Sequence, residues 1–459
     1  MLPKPRGNSM MYQLPPGPKP KPVVGNILEF RKGQLAFVAG LQREYGKAST
    51  FYMGKTPMVM FATPEAVRYV LVENAKNFTM REVTQGLRLL LGDGLLTTDG
   101  EFHRRQRRLM LPAFHRKRVE GYRDVMIEYT ERMLEDWRAG QEVDMAREMQ
   151  RLTLRIVAKA LFNVDLTQES QMLGAAFDDT REYPNRRRFS LRTLRIDLPF
   201  TAYGKFVRAK ALLDKTVYGI IAQRRATGED TGDVISMLLE ARDEDGSALT
   251  DVQVRDETMT LMAAGHETTA NTLTWTFYLL SQHPAQRDTL LAELQRVLGG
   301  RAPTVADLAN LPYLEMVVKE AMRLYPPAWM LGRHALQAYE LEGYHMPADS
   351  FVMLSPWVIH RIAEYFPEPE RFWPERFDSQ TGEKHPPFAY FPFGAGPRMC
   401  IGSTFAMMEA RLLLATLIQR YSPTLVPGHP VVPRPMVTLR TKFGMRMLLE
   451  STKETVLAV

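Results

Sequence analysis

Cysteine is almost absent from the sequence, because Cys400 is the single cysteine among 459 residues. A lone thiol excludes a disulfide within the chain, and it excludes an iron–sulfur cluster held by four cysteines. The role of this side chain must therefore be packing, chemical reactivity or a bond to a metal. One cysteine and no secretion signal also favour a reducing cytoplasm as the location.

Long apolar runs are absent as well. No stretch of about 18 apolar residues occurs, so we expect no transmembrane helix, and the first residues lack the apolar region of a signal peptide. No linker or internal repeat divides the chain, and hydrophobic residues make up 45% of it, which is ample for one large core. The sequence predicts a proline-rich lead-in over residues 1–25 and a single domain over residues 26–459.

The charge is positive without being extreme, with a formal net charge of +7. Short basic clusters, such as residues 104–108, fit either a solvated helix face or a docking surface for an acidic protein. No recognised nucleic-acid-binding module or aromatic stacking platform accompanies them. We therefore expect no nucleic-acid partner.

Hydrophobic periodicity predicts a mainly α protein with a minor β part. Nearly everything between residues 64 and 298 has a helical period, and the S/T-x-x-E/Q capping box at Thr250 and Gln253 begins a helix that continues to His283. At about 1.5 Å per residue this helix is about 50 Å long, which predicts a central position. Short apolar alternations predict strands at residues 48–52, 58–61, 339–344, 351–354 and 438–449.

The surroundings of Cys400 favour a thiolate, and a small core residue, a reactive group and a metal ligand remain the alternatives at this point. It lies in FGAGPRMCIG, residues 393–402, before an apolar helix predicted for residues 401–421. Unpaired N–H groups and the helix dipole favour a thiolate at the first turn of such a helix, and the glycines let a flat group approach the sulfur.

The segment matches every fixed position of F-x-x-G-x-R-x-C-x-G, and thus resembles the heme-binding loop of the cytochromes P-450. The resemblance implies that Cys400 is the axial ligand of the iron of heme b, and that Phe393, Gly394 and Gly402 shape the loop around the cofactor. A thiolate ligand pushes electron density toward bound dioxygen and favours O–O cleavage.

The middle of the long helix carries a second motif, AAGHETT at residues 263–269. His266 and Glu267 raise the hypothesis of a zinc site, but H-E-x-x-H requires a second histidine where Ala270 stands. A glycine and two adjacent threonines instead predict a weakened, bent turn that leaves space for a ligand.

The same stretch resembles the oxygen-activation motif A-G-x-(D/E)-T-(T/S) of the cytochromes P-450. The resemblance implies that Ala264 and Gly265 leave room for dioxygen over the heme. Thr268 would assist oxygen activation through its hydroxyl, and Glu267 would help to relay protons from water.

A charged trio resembles the structural motifs of the same family. Glu320 and Arg323 are three residues apart and share a helix face, and they match E-x-x-R. Arg376 lies in P-E-R-F, residues 374–377. The implied role is a buried network that locks the region bearing the Cys400 loop and leaves unpaired charge when it is broken.

Heme carries two propionates, for which the guanidinium fork is well suited. The resemblance assigns Arg398, Arg333, Arg107 and His103 to them. The family's W-x-x-x-R falls on residues 103–107, where histidine replaces tryptophan. An imidazole can still donate a hydrogen bond to a propionate.

The resemblance covers nearly the whole chain and implies the cytochrome P-450 fold, with the long helix over the heme and the Cys400 loop on the opposite face. It implies a monooxygenase that inserts one oxygen atom of O2 into an apolar substrate, such as a fatty acid, terpenoid or steroid, by hydroxylation or epoxidation. We expect a monomer without a membrane span. Electrons would come from a separate ferredoxin, flavodoxin or reductase, since the chain has no flavin, nicotinamide or iron–sulfur segment.

Two alternatives remain open. One is a peroxygenase that uses hydrogen peroxide on the same fold, and the other is a heme-binding sensor or carrier without catalysis. The presence of Glu267 and Thr268, which can deliver protons, disfavours the peroxygenase. Binding of a ligand without any oxidised product would indicate the sensor.

Overall fold

The structure is a computed structural model that describes residues 12–187, 197–198, 200–228, 230–242, 246–382 and 384–452, with no side chains described for 181–187. Residues 1–11 of the predicted lead-in and residues 453–459 of the predicted domain lie outside this range. The prediction of a mainly α fold with a minor β part is confirmed.

Sixteen α-helices occur in the described residues. In chain order they are α1 (Ile27–Lys32), α2 (Gln34–Tyr45), α3 (Pro64–Arg68), α4 (Gln85–Leu91), α5 (Gly100–Met110), α6 (Arg116–Gly121), α7 (Arg123–Asp136), α8 (Met145–Phe162), α9 (Ser170–Arg187), α10 (Ala202–Thr227), α11 (Val234–Glu240), α12 (Asp251–Gln282), α13 (Pro284–Leu298), α14 (Pro312–Leu324), α15 (Pro356–Ile359) and α16 (Ser403–Ile418).

Twelve β-strands occur in the same residues. They are β1 (Ala48–Met53), β2 (Thr56–Phe61), β3 (Phe78–Thr79), β4 (Glu142–Asp144), β5 (Leu331–Ala335), β6 (Tyr339–Leu341), β7 (Tyr344–Met346), β8 (Phe351–Leu354), β9 (Tyr421–Leu425), β10 (Pro433–Pro435), β11 (Leu439–Thr441) and β12 (Arg446–Ser451).

The contacts divide the chain into two compact units, each made of separated stretches. The first comprises the described residues of Met1–Val83, Met330–Pro367 and His385–Met399, and the second those of Thr84–Trp329, Glu368–Lys384 and Cys400–Val459. The single domain over residues 26–459 stays a prediction.

The first unit is built on a five-stranded sheet of order β1-β2-β8-β5-β3. β1 and β2 form an antiparallel hairpin, and β8 runs parallel to β2. The apolar side chains of Phe51, Val59 and Leu354 are buried in its core. The proline-rich lead-in packs on this sheet, since the backbone N–H of Thr50 donates to the carbonyl of Pro16 at 2.9 Å.

The second unit holds most of the helices, with α12 as its longest element. The predicted capping box is present, because Thr250 and Gln253 bond reciprocally at the helix start, and His283 caps the end. Threonines are buried along α12 because their hydroxyls donate to carbonyls four residues earlier, as Thr258 does to Val254 and Thr274 to Ala270. The helix is continuous over the whole range Asp251–Gln282.

Several predicted elements differ in their bounds. The helix expected over residues 401–421 spans only Ser403–Ile418, because the chain passes into β9 at Tyr421. The strand expected at 339–344 is the hairpin of β6 and β7, which turns at Glu342 and Gly343, both with positive φ. The strand expected at 438–449 is divided between β11 and β12 by a turn at Gly444.

Candidate active site

A short accessible stripe interrupts the buried surface of α12. Ala264 is exposed and Thr268 is partly exposed, whereas most of the helix is buried. Residues four apart on a helix lie on the same side, so both side chains border one accessible space. The hydroxyl of Thr268 donates to the carbonyl of Ala264 at 2.8 Å. The stripe therefore offers a methyl group and a hydroxyl side by side.

Gly265 serves packing between helices. A Cβ at this position would lie 2.6 Å from Cγ2 of Val157 in α8, which is far inside normal contact distance. α12 and α8 therefore approach closely only because residue 265 has no side chain. The neighbouring His266 is buried, its Nδ1 lies 2.6 Å from the carbonyl of Met262, and its ring packs 4.9 Å from Phe177. Among the described residues no cluster suited to a metal ion occurs.

Glu267 is buried and held by residues near the C-terminus. Its Oε1 accepts a hydrogen bond from Thr438 Oγ1 at 2.8 Å, and Arg440 Nε lies 3.1 Å from the same oxygen. Arg440 also donates to Asp178 of α9 at 2.8 Å. Burial disfavours the charge of Arg440, but the two carboxylates together raise its pKa. The carboxyl of Glu267 is therefore fixed beside a counter-charge.

Cys400 is accessible and yet desolvated. Its accessible surface places it among the exposed residues, but burial raises the pKa of its thiol, although the backbone N–H of Gly402 and the charge of Arg107 both lower it. The sulfur therefore faces an enclosed space rather than open solvent. Cys400 precedes the N-cap Gly402, so it does not lie in the first turn of α16 as the sequence predicted.

The residues expected around the propionates fall in both units. In the second unit, α5 carries His103, which is 5% exposed, and Arg107, which is partly exposed. Burial lowers the pKa of Arg107, while the nearby Cys400 raises it. The sulfur and this guanidinium are therefore close enough to interact. His103 and Arg107 are four residues apart and share one side of the helix.

In the first unit, Arg333 is 5% exposed, and its Nη1 donates to the carbonyl of Gly332 at 2.8 Å. Arg398 ends a 3-10 turn, Gly396–Arg398, and is partly exposed, as are Phe393 and Gly394. Gly396 has a φ of +67°, and a Cβ there would collide with the carbonyl of Leu71. The tight turn before Cys400 therefore requires glycine.

The charged trio forms one buried network in the second unit. Arg323 binds the carboxylate of Glu320 with two nitrogens, at 2.7 and 2.8 Å, and Arg376 Nε lies 3.1 Å from it. All three side chains are completely buried. The backbone N–H of Trp373 also donates to Glu320, and carbonyls of residues 368–371 accept from both arginines. Every charge thus has a partner.

Some polar residues near this site were not singled out from the sequence. Arg440 and Thr438 hold Glu267, and Glu409 of α16 is completely buried near Thr269. Among the described residues neither carboxyl oxygen of Glu409 has a hydrogen-bond partner. Burial raises its pKa to about 8, although the nearby hydroxyl of Thr269 acts in the opposite direction. An apolar helix with one glutamate was the only signal in the sequence.

The second unit has the donor chemistry that a heme requires. It supplies an enclosed but accessible thiol, a buried imidazole and a guanidinium that interacts with the sulfur. It also supplies an accessible helix stripe whose smallest side chain is a methyl group. No described helix is both long and apolar enough to cross a membrane.

Comparison with known proteins agrees with this chemistry. The model of the family described as Cytochrome P450 matches residues 15–446. Cyclooctatin synthase of Streptomyces melanosporofaciens is 37% identical over 432 residues, which cover 94% of each chain. Pentalenene oxygenase of Streptomyces avermitilis is 34% identical and covers 93% of this chain and 95% of that protein. A retinoic-acid-bound structure of cyanobacterial CYP120A1 matches with a TM-score of 0.86 and 30% identity, covering 97% of this chain and 100% of that one.

The chain belongs to the cytochrome P450 family. It is a heme-thiolate monooxygenase that inserts one oxygen atom of O2 into an apolar organic substrate. Membership of the family implies a heme cofactor and the need for an electron donor.

Proposed function

We propose that Cys400 binds the iron of heme b in a monooxygenase that oxidises cyclic terpenoids. The observation that carries this assignment is the thiol of Cys400, which is accessible although burial raises its pKa. Such a thiol loses its proton when it binds a metal. Heme bound here supplies the iron that activates dioxygen.

The remaining heme assignments rest on the family motifs and on the chemistry of the side chains. His103 and Arg107 would hold propionates from α5, and Arg333 and Arg398 would supply further guanidinium groups. Phe393, Gly394 and Gly402 would shape the cysteine loop. The network of Glu320, Arg323 and Arg376 would have a structural role, since its charges are completely buried and saturated with partners.

Four residues of α12 would serve the oxygen. Ala264 presents only a methyl group at the accessible stripe, which leaves room for a diatomic molecule. Thr268 would hold a proton near that oxygen through its hydroxyl, and Glu267 would exchange protons with water when its bond to Thr438 opens. Gly265 keeps the stripe in place by letting α12 pack on α8.

A terpenoid is the substrate class that the relatives favour. Cyclooctat-9-en-7-ol 5-monooxygenase of Streptomyces melanosporofaciens is 34% identical to the chain over 415 residues, and pentalenene oxygenase is similar over a comparable length. Both names describe the oxidation of terpenoids. The small side chains at the accessible stripe leave space for such a substrate, whose recognition depends on shape and apolar contact.

A separate acidic protein, such as a ferredoxin or flavodoxin, is the electron donor that the surface favours. An open groove of about 860 Å³ beside the end of α5 is lined by four basic side chains, Arg108, His115, Lys117 and Arg118. Opposite charge steers weak and fast encounters of this kind. The single cysteine fits a reducing cytoplasm, and we propose that the protein acts there as a monomer.

Reconstitution tests this function. The heme-loaded protein is combined with a surrogate ferredoxin, its reductase and NADPH, and is offered a panel of cyclic terpenes under 18O2. We expect one labelled oxygen atom in the product. The control variant, Cys400→Ala, should give no labelled product. Turnover with hydrogen peroxide and none with the reductase system would instead indicate a peroxygenase, and binding without product would indicate a sensor.

A further inference from the structure

The loop between α4 and α5 is attached to α12 through its backbone. The N–H of Asp93 donates to Asp256 Oδ2 at 2.7 Å, and the N–H of Leu95 donates to Glu257 Oε2 at 2.9 Å. Asp256 and Glu257 are consecutive residues of α12. We call residues 92–95 the anchored loop. Because the contacts use main-chain donors, they fix the path of the loop and not merely its side chains.

Two glycines let the anchored loop lie directly on the helix. Gly92 has a φ of +62°, and a Cβ there would collide with the carboxylate of Asp256. A Cβ at Gly94 would collide with Oγ1 of Thr260 and would lie 2.8 Å from the carbonyl of Asp256. The backbone of the loop is therefore in contact with one turn of α12, from residue 256 to residue 260.

The groups that hold the loop are buried. Asp256 is 7% exposed and Glu257 is completely buried, and burial raises the pKa of Glu257 to about 8, so this carboxyl is neutral at pH 7. Arg255 is 4% exposed and donates to Asp256 Oδ1 at 2.8 Å and to the carbonyl of Leu90, at the end of α4, at 2.7 Å. Withdrawal of the loop would remove the N–H donors from Asp256 Oδ2 and Glu257 Oε2, whereas Asp256 would keep Arg255, and the loss of these two bonds opposes displacement.

The anchored loop ends where the accessible stripe of α12 begins. Asp256, Thr260, Ala264 and Thr268 follow one another at intervals of four residues, so they form one ridge of the helix in which each is about 6 Å further along the axis than the last. Thr260 is 3% exposed beneath Gly94, whereas Ala264, one turn further on, is exposed. The loop therefore borders the space above Ala264.

We propose that Asp256 and Glu257 are positioning residues that fix the anchored loop as the end wall of the substrate space, and so determine which part of an apolar substrate lies over Thr268. The proposal rests on the proposed function, because it takes the space above Ala264 as the place of oxidation. It adds a determinant of shape selectivity that does not itself touch the substrate.

Two nitrogen ligands of different size test this proposal on the heme-loaded protein. Imidazole needs little space over the iron, whereas 4-phenylimidazole extends toward the walls of the site. The readout is the ratio of their dissociation constants, measured from the shift of the Soret band. We expect Glu257→Ala, which leaves the N–H of Leu95 without its acceptor, to change this ratio by about tenfold. Glu257→Gln retains an acceptor oxygen and a neutral side chain, so the ratio should stay near that of the wild type.

Hydrogen exchange provides an independent readout. In Glu257→Ala the amides of residues 92–95 should exchange faster, whereas in Glu257→Gln they should remain protected. If Glu257→Ala does not fold, Gly94→Ala provides a second way to displace the same loop. Its matched control is Gly219→Ala in α10, because a Cβ at Gly219 meets no atom within 4 Å. Gly94→Ala should change the ratio, and Gly219→Ala should not.

Two results would overturn the proposal. Unchanged exchange in Glu257→Ala would mean that Glu257 does not hold the loop. Faster exchange with an unchanged ratio would mean that the loop does not border the ligand. A protein whose reduced carbon monoxide complex lacks thiolate ligation would instead refute the proposed function, so the two failures are distinguishable.

Discussion

Glu409 should make the stability of the protein depend on pH in an unusual direction. It is completely buried on α16, and among the described residues neither of its carboxyl oxygens has a hydrogen-bond partner. Burial raises its pKa from 4.5 to about 8. The carboxyl is therefore protonated in the folded protein at neutral pH, whereas it is ionised in the unfolded chain.

The sign of the effect follows from proton binding. Between pH 4.5 and 8 the folded state binds a proton at Glu409 that the unfolded state has lost, so the free energy of unfolding falls as the pH rises. At about 1.4 kcal/mol for each pKa unit, the interval from 4.5 to about 8 corresponds to about 5 kcal/mol, most of which is lost by pH 8 and the rest above it. Glu409→Gln has nearly the same shape and cannot ionise, so it removes this loss.

Urea unfolding of the heme-loaded protein at pH 5, 6, 7 and 8 measures the effect. Relative to wild type, Glu409→Gln should gain stability steadily with pH, by about 3–4 kcal/mol between pH 5 and pH 8. Glu131→Gln, at an exposed position of α7, serves as the control and should follow the wild-type curve. Parallel curves for wild type and Glu409→Gln would show that burial does not raise the pKa of Glu409.

Three further predictions concern the site. Glu320→Ala leaves Arg323 and Arg376 buried without their carboxylate and should lower the free energy of unfolding by about 3–5 kcal/mol. Arg371→Ala, at an exposed ion pair, should lower it by less than about 1 kcal/mol. Equal losses of the two variants in urea unfolding would contradict this prediction. Thr268→Ala should keep the heme spectrum but raise the peroxide released per NADPH consumed, and unchanged coupling would exclude the proposed role of its hydroxyl. Arg440→Ala removes the counter-charge of buried Glu267 and should cost about 2 kcal/mol in the same unfolding assay, and no loss would mean that Thr438 alone holds Glu267.

The elements that local chemistry specifies could be predicted from the sequence. The bounds of α12 follow from Thr250 and Gln253 at its start and from His283 and Pro284 at its end, because capping and proline geometry act within a few residues. The Cys400 loop could be recognised because its pattern lies within ten consecutive positions. Strands of two or three residues, such as β3 and β10, carry too little pattern to be predicted.

The surroundings of the site could not be derived from local patterns. Glu267 is bound by Thr438 and Arg440, far away in the chain, and nothing in either segment indicates the pairing. The role of Gly265 likewise depends on α8, since the atom that excludes a Cβ belongs to Val157. Such contacts depend on how two elements pack, which a single sequence does not specify.

The direction in which the pKa of the Cys400 thiol is shifted could not be derived from the sequence either. A sequence pattern placed the thiol at the positive end of a helix, where a thiolate is favoured. In the structure α16 begins only at Ser403, and burial is the largest influence on the thiol and raises its pKa. The sign of this effect depends on how many atoms surround the sulfur, and that number comes from the tertiary fold.

The carbon monoxide spectrum of the reduced protein reports directly whether a thiolate is bound to the heme iron. If Cys400 is the axial ligand, the wild-type complex should show the red-shifted Soret band that is typical of thiolate ligation. Cys400→His should still bind heme but should lose that band, because an imidazole replaces the thiolate. A wild-type complex without the red-shifted band, or a Cys400→His complex that retains it, would contradict the account.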